Sequence, residues 1–381
     1  MSTRDLKFAF LLGSTLAVGF LACSSDTNTG PKTGGTATGG RANTGGSATG
    51  GDLGSGGAKA SGGAPSTGGS PVTGGGRSDA AIPQTGGNGS GGAPSSTGGT
   101  AAGDPVKSDG CGKTPSLKTG TGLKITLKSP GTGERNYNLK VPDDYDNSHP
   151  YRLIMSYHWV GGTANDVSNG GVAKPYYGLV DLAKGSTIFV APDGTPNTIM
   201  GNSGNMWANA SGSDVEFSRQ LITLMESEFC IDKSRIFCEG FSMGGSMSYA
   251  MACAMGDTIR GVAVHSGGPM SGCVAHTKPV AYFMTHGTQD TVCTWPTFGV
   301  PQLEDFAKVD GCKTPDPTLS ASDFLATLPT PTSTASACID FTGCQAGYPV
   351  RSCLFVGPHT PSPDGTNGWV PKESWKFFSQ F

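Results

Sequence analysis

The chain has 381 residues, of which 61 are glycine and only 14% are charged, and its formal net charge at pH 7 is −3. A slightly acidic chain with so few charges offers no basic face or stripe, so the composition gives no electrostatic case for a nucleic-acid partner. Most of the glycine in excess of the usual share of about 7% lies before residue 105. We therefore expect only part of the chain to fold.

The N-terminus is typical of an export signal. Basic residues precede an almost wholly apolar or small run over residues 8–22, which is too short to span a bilayer comfortably. Residues 19–23 read Gly-Phe-Leu-Ala-Cys and are similar to a bacterial lipobox, in which the peptide is cut before the cysteine and its thiol carries a lipid. We predict a lipoprotein-type signal peptide over 1–22 and lipidation of Cys23, and Ser24 favours the outer membrane. Plain secretion is the alternative, and either outcome exports the protein.

Residues 23–108 are predicted to be a disordered linker. Gly-Gly doublets recur with Thr, Ser, Ala and Pro between them, and no periodic apolar face is present to offset the entropy of ordering. A Gly/Ser coil of this length has a reach of roughly 50 Å, enough to hold a domain clear of a membrane surface. A repeat that binds cell-wall sugar is a weaker alternative, because the segment has no aromatic residue to stack on sugar.

Residues 109–381 alternate short apolar strands with helices. Strands are predicted at 137–141, 152–157, 186–191, 235–239, 261–265 and 281–285, and helices at 214–229, 242–255 and 373–378. Asp214 is the expected N-cap of the first of these helices. The alternation indicates a single α/β domain with a mostly parallel central sheet flanked by helices.

The cysteine pattern favours a disulfide-stapled domain. Ten cysteines follow Cys23: Cys111, Cys230, Cys238, Cys253, Cys273, Cys293, Cys312, Cys338, Cys344 and Cys353. An even number in an exported domain suggests that they pair, and we expect Cys338 and Cys344 to form a local bridge. A metal site is the alternative, but no Cys-x-x-Cys pair and no histidine pair with ligand spacing occur, so no metal is expected.

A nucleophile motif lies between a predicted strand and a predicted helix. Residues 240–244 read Gly-Phe-Ser-Met-Gly and match the Gly-x-Ser-x-Gly elbow in its strand–turn–helix context. We predict that Ser242 is a nucleophile and that the Met243 N–H is the first oxyanion donor. The alternative is a glycine-rich turn with a capping serine.

The second oxyanion donor is expected in the loop after the strand at 152–157. Residues 158–162 read His-Trp-Val-Gly-Gly, and the two glycines leave the backbone free to turn inward. We favour the Val160 N–H as the donor, with Trp159 as the alternative. His158 is expected to brace this loop.

The acid and the base should follow the serine in the order Ser, Asp, His. Asp290 comes just after the apolar strand that begins near Ala281, in Thr-His-Gly-Thr-Gln-Asp, and is the predicted acid. His359 is the only histidine after Asp290 and follows another short apolar stretch, so it is the predicted base. His286 is expected to hold the acid loop.

Taken together, these motifs resemble the feruloyl esterases of carbohydrate esterase family 1. The similar segments lie at 158–162, 214–217, 240–245, 285–290, 357–361 and 369–378. The resemblance covers about 110–381 and implies an α/β-hydrolase fold, a Ser-His-Asp acyl-enzyme mechanism and no cofactor. It implies a feruloyl or other hydroxycinnamoyl ester of plant cell-wall xylan as the substrate. The chain departs from the family at Trp159 and Val160, where Gly and Cys are common.

The choice of ester rests on the resemblance. The related acetylxylan esterases and polyhydroxybutyrate depolymerases share these motifs, and both stay open as alternatives. A catalytically inactive, surface-tethered binding protein is an alternative of another class, which the intact Ser, Asp and His argue against. An aromatic acyl group needs a flat apolar slot, and the candidate wall residues are Trp159, Trp207, Trp295 and Trp369.

Overall fold

The computed structural model describes residues 104–199, 201–273, 276–313, 337–365 and 368–381. The predicted signal peptide, Cys23 and nearly all of the predicted linker lie outside the described residues. Within these ranges, no helix combines the length and the apolar character that a bilayer crossing requires.

A nine-stranded sheet forms the centre of the domain. Its strands are β1 (Gly120–Thr126), β2 (Glu134–Lys140), β3 (Tyr151–Tyr157), β4 (Thr187–Pro192), β7 (Ile231–Phe241), β8 (Gly261–His265), β9 (Ala281–Gly287), β10 (Ala337–Asp340) and β11 (Val350–Phe355). Across the sheet they lie in the order β1-β2-β4-β3-β7-β8-β9-β11-β10. The strands from β4 to β11 in this order run parallel, and antiparallel pairs close both edges. A separate hairpin consists of β5 (Thr195–Ile199) and β6 (Asn202–Met206).

Helices cover both faces of the sheet. They are α1 (Ala164–Asn169), α2 (Leu179–Ala183), α3 (Ser213–Glu228), α4 (Met243–Ala254), α5 (Val300–Val309) and α6 (Trp369–Ser379). Side chains alternate between the faces along each strand. In β9, Tyr282 and Met284 pack with α3, α4 and α5, whereas Phe283 packs with α1, α2 and α6. The predicted α/β-hydrolase fold, with a mostly parallel sheet between helices, is confirmed.

The start of α3 differs from the prediction. Asp214 is not the N-cap, because it lies inside the helix and its carboxylate accepts from Arg135 Nη2 (3.0 Å) and Asn209 N (2.7 Å). The capping oxygen belongs instead to Asn209, whose Oδ1 accepts from the N–H groups of Asp214 and Val215, each at 3.1 Å. Asn and Asp are equally good capping residues, so only the path of the chain decides between them.

Four described disulfides staple the domain, but they do not include the predicted local bridge. The pairs are Cys111–Cys230, Cys253–Cys273, Cys312–Cys344 and Cys338–Cys353. The Cys338–Cys344 prediction is wrong because Cys338 lies on β10 directly opposite Cys353 on β11, in the antiparallel register.

Cys238 is a further exception to the expected pairing. It is a free thiol that lies buried within β7, in the main apolar core. It therefore behaves as a small apolar side chain of the core. The remaining framework of disulfides fits a protein that matures in an oxidising compartment.

Candidate active site

Ser242 lies in a strained turn between β7 and α4. Its backbone has φ 56° and ψ −120°, which is unusual for a residue with a side chain, and its N–H donates to His265 O at 2.9 Å. A Cβ at Gly240 would overlap the backbone of Gly244, and a Cβ at Gly244 would overlap the carbonyl of Tyr157. The turn therefore requires both glycines of the motif.

Asp290 and His359 form a close pair at the same edge of the sheet. Asp290 follows β9 and His359 follows β11, and these two strands are parallel neighbours. The distance from His359 Nδ1 to Asp290 Oδ2 is 2.6 Å. Asp290 Oδ1 accepts from the N–H groups of Val292 (2.8 Å) and Cys293 (2.7 Å). The carboxylate is thus held by its own loop while it receives the Nδ1–H of the imidazole.

The other nitrogen of His359 is available for chemistry. Nε2 is buried and has no hydrogen-bond partner among the described residues. The ring packs against Phe241, the residue before Ser242, with 4.6 Å between ring centroids. Ser242 is itself 1% exposed. The fold therefore places the predicted acid and base as a pair, with the predicted base against the residue that precedes the predicted nucleophile.

His286 supports the loop that carries Asp290, and its ring is fully buried. Its Nε2 lies 2.6 Å from Cys293 O and 3.6 Å from Asp290 Oδ2. Burial lowers the pKa of His286 to about 4, so the ring is neutral at neutral pH. A neutral ring that donates Nε2–H to a carbonyl ties the loop to β9 and adds no charge beside Asp290.

The predicted oxyanion segment leaves β3 and approaches the start of α4. In this segment the Gly161 N–H donates to Asn205 O on β6 (2.8 Å), and the Gly162 N–H donates to Trp159 O (3.0 Å). The Val160 N–H has no hydrogen-bond partner among the described residues. Met243 is the first residue of α4, and the N–H groups of a first helical turn lack intrahelical acceptors.

Two groups outside the motif, the Gly194 N–H and the Trp207 indole, fix this segment through His158. His158 Nε2 accepts from the Gly194 N–H (2.8 Å), and the Trp207 indole N–H donates to His158 O (2.8 Å). His158 therefore braces its loop, and it has no hydrogen bond to Asp290 or His359. Trp207 is fully buried and has no exposed face for a substrate. Trp207 therefore supports the loop and does not offer a wall for the acyl group of a substrate.

The other three tryptophans lie in different settings. Trp295 is only 4% exposed and packs against His286, with 5.2 Å between centroids. Trp159 is partly exposed, 6.4 Å from Phe241 between ring centroids, and Trp369 is partly exposed against Phe355 at 6.1 Å. Of the candidate wall residues, Trp159 is therefore the one in contact with the residue next to Ser242.

Two groups of described side chains have ligand atoms close enough to suggest a metal site. One contains Cys253, His276 and Asp305, and the other contains Cys338, Cys353 and Glu373. All three cysteines are in disulfides. A disulfide sulfur is not a thiolate ligand, so neither group offers the set of donors that a metal requires.

Two buried polar side chains near the Ser242 turn were not predicted from the sequence. Glu239 lies inside β7, where its carboxyl accepts from Ser156 Oγ at 2.7 Å. The Tyr177 hydroxyl donates to Tyr157 O at 2.6 Å. A glutamate in an otherwise apolar strand was a signal that could have been used, whereas nothing in the local sequence marks Tyr177.

Comparison with known proteins identifies relatives of this chain. No protein-family model matches it. A probable feruloyl esterase C from Aspergillus clavatus is 39% identical over 273 residues, which are 71% of this chain and 90% of the relative. The feruloyl esterase C of Emericella nidulans is 39% identical over 272 residues, with the same shares of the two chains. Among solved structures, an acetyl xylan esterase from Aspergillus awamori matches with a TM-score of 0.49 and 14% identity, over 68% of this chain and 99% of that one. From the identity and coverage of the feruloyl esterase relatives, we conclude that the chain belongs to the feruloyl esterase family and is a carboxylic ester hydrolase.

Proposed function

We propose that the chain hydrolyses feruloyl and related hydroxycinnamoyl esters of plant cell-wall xylan through an acyl-enzyme intermediate. Ser242 is the nucleophile, His359 the general base and Asp290 the acid that orients it. One observation carries the mechanism: Asp290 holds His359 Nδ1 at 2.6 Å while Nε2 stays free beside the serine turn. The ester class is supported by relatives that are named feruloyl esterases.

The first half of the reaction acylates the serine. Ser242 Oγ attacks the ester carbonyl carbon while His359 Nε2 takes the hydroxyl proton, so the imidazole becomes an imidazolium beside the Asp290 carboxylate. The carbonyl oxygen gains a negative charge, which the N–H groups of Met243 and Val160 stabilise. Trp159 N–H is the alternative second donor. When the tetrahedral intermediate collapses, the sugar alkoxide leaves and receives the proton from Nε2.

The second half releases the acid. A water molecule gives its proton to His359 Nε2 and attacks the acyl carbon, and the new tetrahedral intermediate collapses with return of the proton to Ser242 Oγ. Two backbone N–H groups and the Nδ1–H of His359 donate to the Asp290 carboxylate. A carboxylate held in this way stabilises the imidazolium at both steps.

The aromatic acyl group requires an apolar wall next to the serine. We assign Trp159 as the principal candidate, since it is partly exposed and its ring lies 6.4 Å from that of Phe241. Trp369 is a second candidate and Trp295, at 4% exposure, a weaker one. This assignment accounts for the departure from the family at Trp159, because an indole in this segment adds apolar surface at the entrance.

The organisation of the chain is part of the proposal. We place an export signal at 1–22, a lipid on Cys23, a tether over 23–108 and the esterase domain at 109–381. The disulfides support export, since they form in oxidising compartments. Intact mass of the purified protein tests the lipid: a mature chain that begins at Cys23 and carries acyl mass is expected, whereas an unmodified mature chain indicates plain secretion.

Ser242→Ala tests the mechanism. The purified variant and the wild type are offered methyl ferulate, acetylated xylan and a polyhydroxybutyrate film, and thermal unfolding serves as the folding control. We expect the wild type to prefer methyl ferulate and the variant to lose at least about 10³-fold in kcat, with an unchanged Tm. A folded variant with near wild-type turnover contradicts the mechanism. Preference for the film or the acetylated polymer contradicts the ester class and leaves the mechanism intact.

A further inference from the structure

Tyr177 connects the two segments that must meet at the reacting carbonyl. Its hydroxyl donates to Tyr157 O at 2.6 Å and accepts from the Phe241 N–H at 3.3 Å. Tyr157 is the last residue of β3, and Phe241 is the last residue of β7. One side chain therefore bonds both strands at the point where they leave the sheet.

Each strand end leads directly to a group in the proposed mechanism. Three residues after Tyr157 comes Val160, the proposed second oxyanion donor, and the residue after Phe241 is Ser242. The carbonyl of Tyr157 also abuts Gly244, since a Cβ there would overlap it. A shift of Tyr157 relative to Phe241 would thus change the distance between the nucleophile and the Val160 N–H.

The turn that carries Tyr177 is strained. Tyr176 and Tyr177 have φ values of 49° and 50°, in the left-handed region that residues with bulky side chains rarely occupy. Both rings are buried, at 3% and 5% exposure, and the next residue, Gly178, leaves no room for a Cβ beside Pro371 of α6. Such a conformation persists only where the surrounding contacts enforce it, and strain of this kind concentrates at functional sites.

The hydroxyl remains a donor at all working pH values. Burial raises the pKa of Tyr177 well above its ordinary value of 10.0. The adjacent tyrosine provides a contrast, since the Tyr176 hydroxyl makes no hydrogen bond with any described residue and its ring packs on Phe189 at 5.2 Å between centroids. The two neighbouring tyrosines thus share burial and backbone strain, but their hydroxyl groups have different contacts. Their rings also differ in neighbours, since Tyr177 lies 5.9 Å from His265 between centroids.

We propose that Tyr177 is a positioning residue, which fixes the Val160 segment relative to Ser242 so that both oxyanion donors meet the same oxygen. The inference rests on the proposed function of Ser242. It predicts that loss of the hydroxyl weakens stabilisation of the transition state and leaves the binding of the ground state unchanged, because the Tyr177 side chain is buried and its hydroxyl bonds to backbone groups of the two strand ends.

The test compares Tyr177→Phe with Tyr176→Phe in the full chain. Four quantities are measured: kcat and KM for methyl ferulate, and inhibition constants for ferulate and for phenylboronic acid, which forms a tetrahedral adduct with a serine. For Tyr177→Phe we expect kcat to fall about tenfold or more and the phenylboronic acid constant to rise by a similar factor, with KM and the ferulate constant within about twofold. Tyr176→Phe should resemble the wild type in all four.

Any other outcome decides whether Tyr177 positions the two oxyanion donors. Wild-type kcat and boronic acid inhibition in folded Tyr177→Phe overturn the inference, and so does an equal loss of ferulate binding. If the Phe variant does not fold, 4-fluorophenylalanine at position 177 fills the volume of the hydroxyl without donating and is expected to show the same loss of kcat. If neither variant folds, Tyr177 is a structural residue and the inference fails. Ser242→Ala in the same assays separates this result from failure of the proposed function, since activity in that variant overturns the function itself.

Discussion

Glu239 gives the protein a defined dependence of stability on pH. The side chain is fully buried in β7, and its only hydrogen bond comes from Ser156 Oγ to Oε1, while Oε2 has no partner among the described residues. Burial raises the pKa of Glu239 from its ordinary 4.5 to about 8. The folded protein therefore keeps this acid neutral at neutral pH, whereas the unfolded chain ionises it.

The sign and size of the effect follow from proton linkage. Below about pH 4.5 both states hold the proton, and the stability associated with the neutral acid is fully present. As the pH rises, this stability is lost at about 1.4 kcal/mol per pH unit, until the folded state also ionises near pH 8. At pH 7 the loss is about 3 kcal/mol, a large share of the 5–15 kcal/mol that is typical of a domain.

Glu239→Gln removes this titration and keeps the shape of the side chain. We expect equal unfolding free energies for variant and wild type near pH 4.5, and an advantage of about 3 kcal/mol for the variant at pH 7. Urea unfolding followed by tryptophan fluorescence, with the disulfides intact, measures both curves from pH 4.5 to 8. Because all other titrating groups are common to the two proteins, they cancel in the difference.

Parallel curves would refute this reasoning, since they would show that Glu239 has the same pKa in both states. A variant that is less stable than the wild type at pH 7 would show instead that the folded protein holds the ionised carboxylate favourably. A neutral acid three residues before Ser242 also has a functional consequence. A negative charge at this depth would oppose the charge that develops on the oxyanion in a medium of low dielectric constant.

Two further predictions concern the site and the disulfides. Asp290→Asn should lower kcat by about 10³- to 10⁴-fold with little change in KM, because an amide cannot stabilise the His359 imidazolium or fix its tautomer. Steady-state kinetics on methyl ferulate measure both constants. A loss of kcat below tenfold would contradict the role assigned to Asp290. Cys338→Ser should release the thiol of Cys353 and leave Cys344 bonded. Alkylation and peptide mass spectrometry of the unfolded, unreduced proteins should label the free thiol of Cys238 in wild type and variant, and Cys353 in the variant alone. Label on Cys344 would contradict the observed pairing.

The location of the candidate site was predictable because each of the three strands that lead to it has a local signal in the sequence. Ser242, Asp290 and His359 each follow an apolar strand, and the sequence marks all three strands. Since β7, β9 and β11 run in the same direction, their carboxyl ends meet at one edge of the sheet. Correct strands in a parallel sheet thus place their following residues together, even where the predicted bounds are several residues short, as for β7.

Contacts between distant segments were not predictable in the same way. The Cys338–Cys353 bridge depends on the antiparallel register of β10, a strand of four residues without a strong pattern. The cap of α3 depends on whether Asn209 or Asp214 meets the first N–H groups, and both residue types serve equally well. Tyr177 lies in a left-handed turn that no local sequence rule predicts for a tyrosine. In each case, packing between segments decides the outcome.

The predicted oxyanion segment contains a variable pair, Trp159 and Val160, at which the chain departs from the family that it resembles. Its anchors act on the residues that flank the variable pair: Gly194 and Trp207 bond His158, and Asn205 O accepts from Gly161. None of these bonds involves the side chain of residue 159 or 160. Substitution of both positions is therefore compatible with an unchanged position of the Val160 N–H, and the changes alter the surface that a substrate meets. On this argument, variation at Trp159 and Val160 should alter the preference among acyl groups more than it alters the rate of the chemical step.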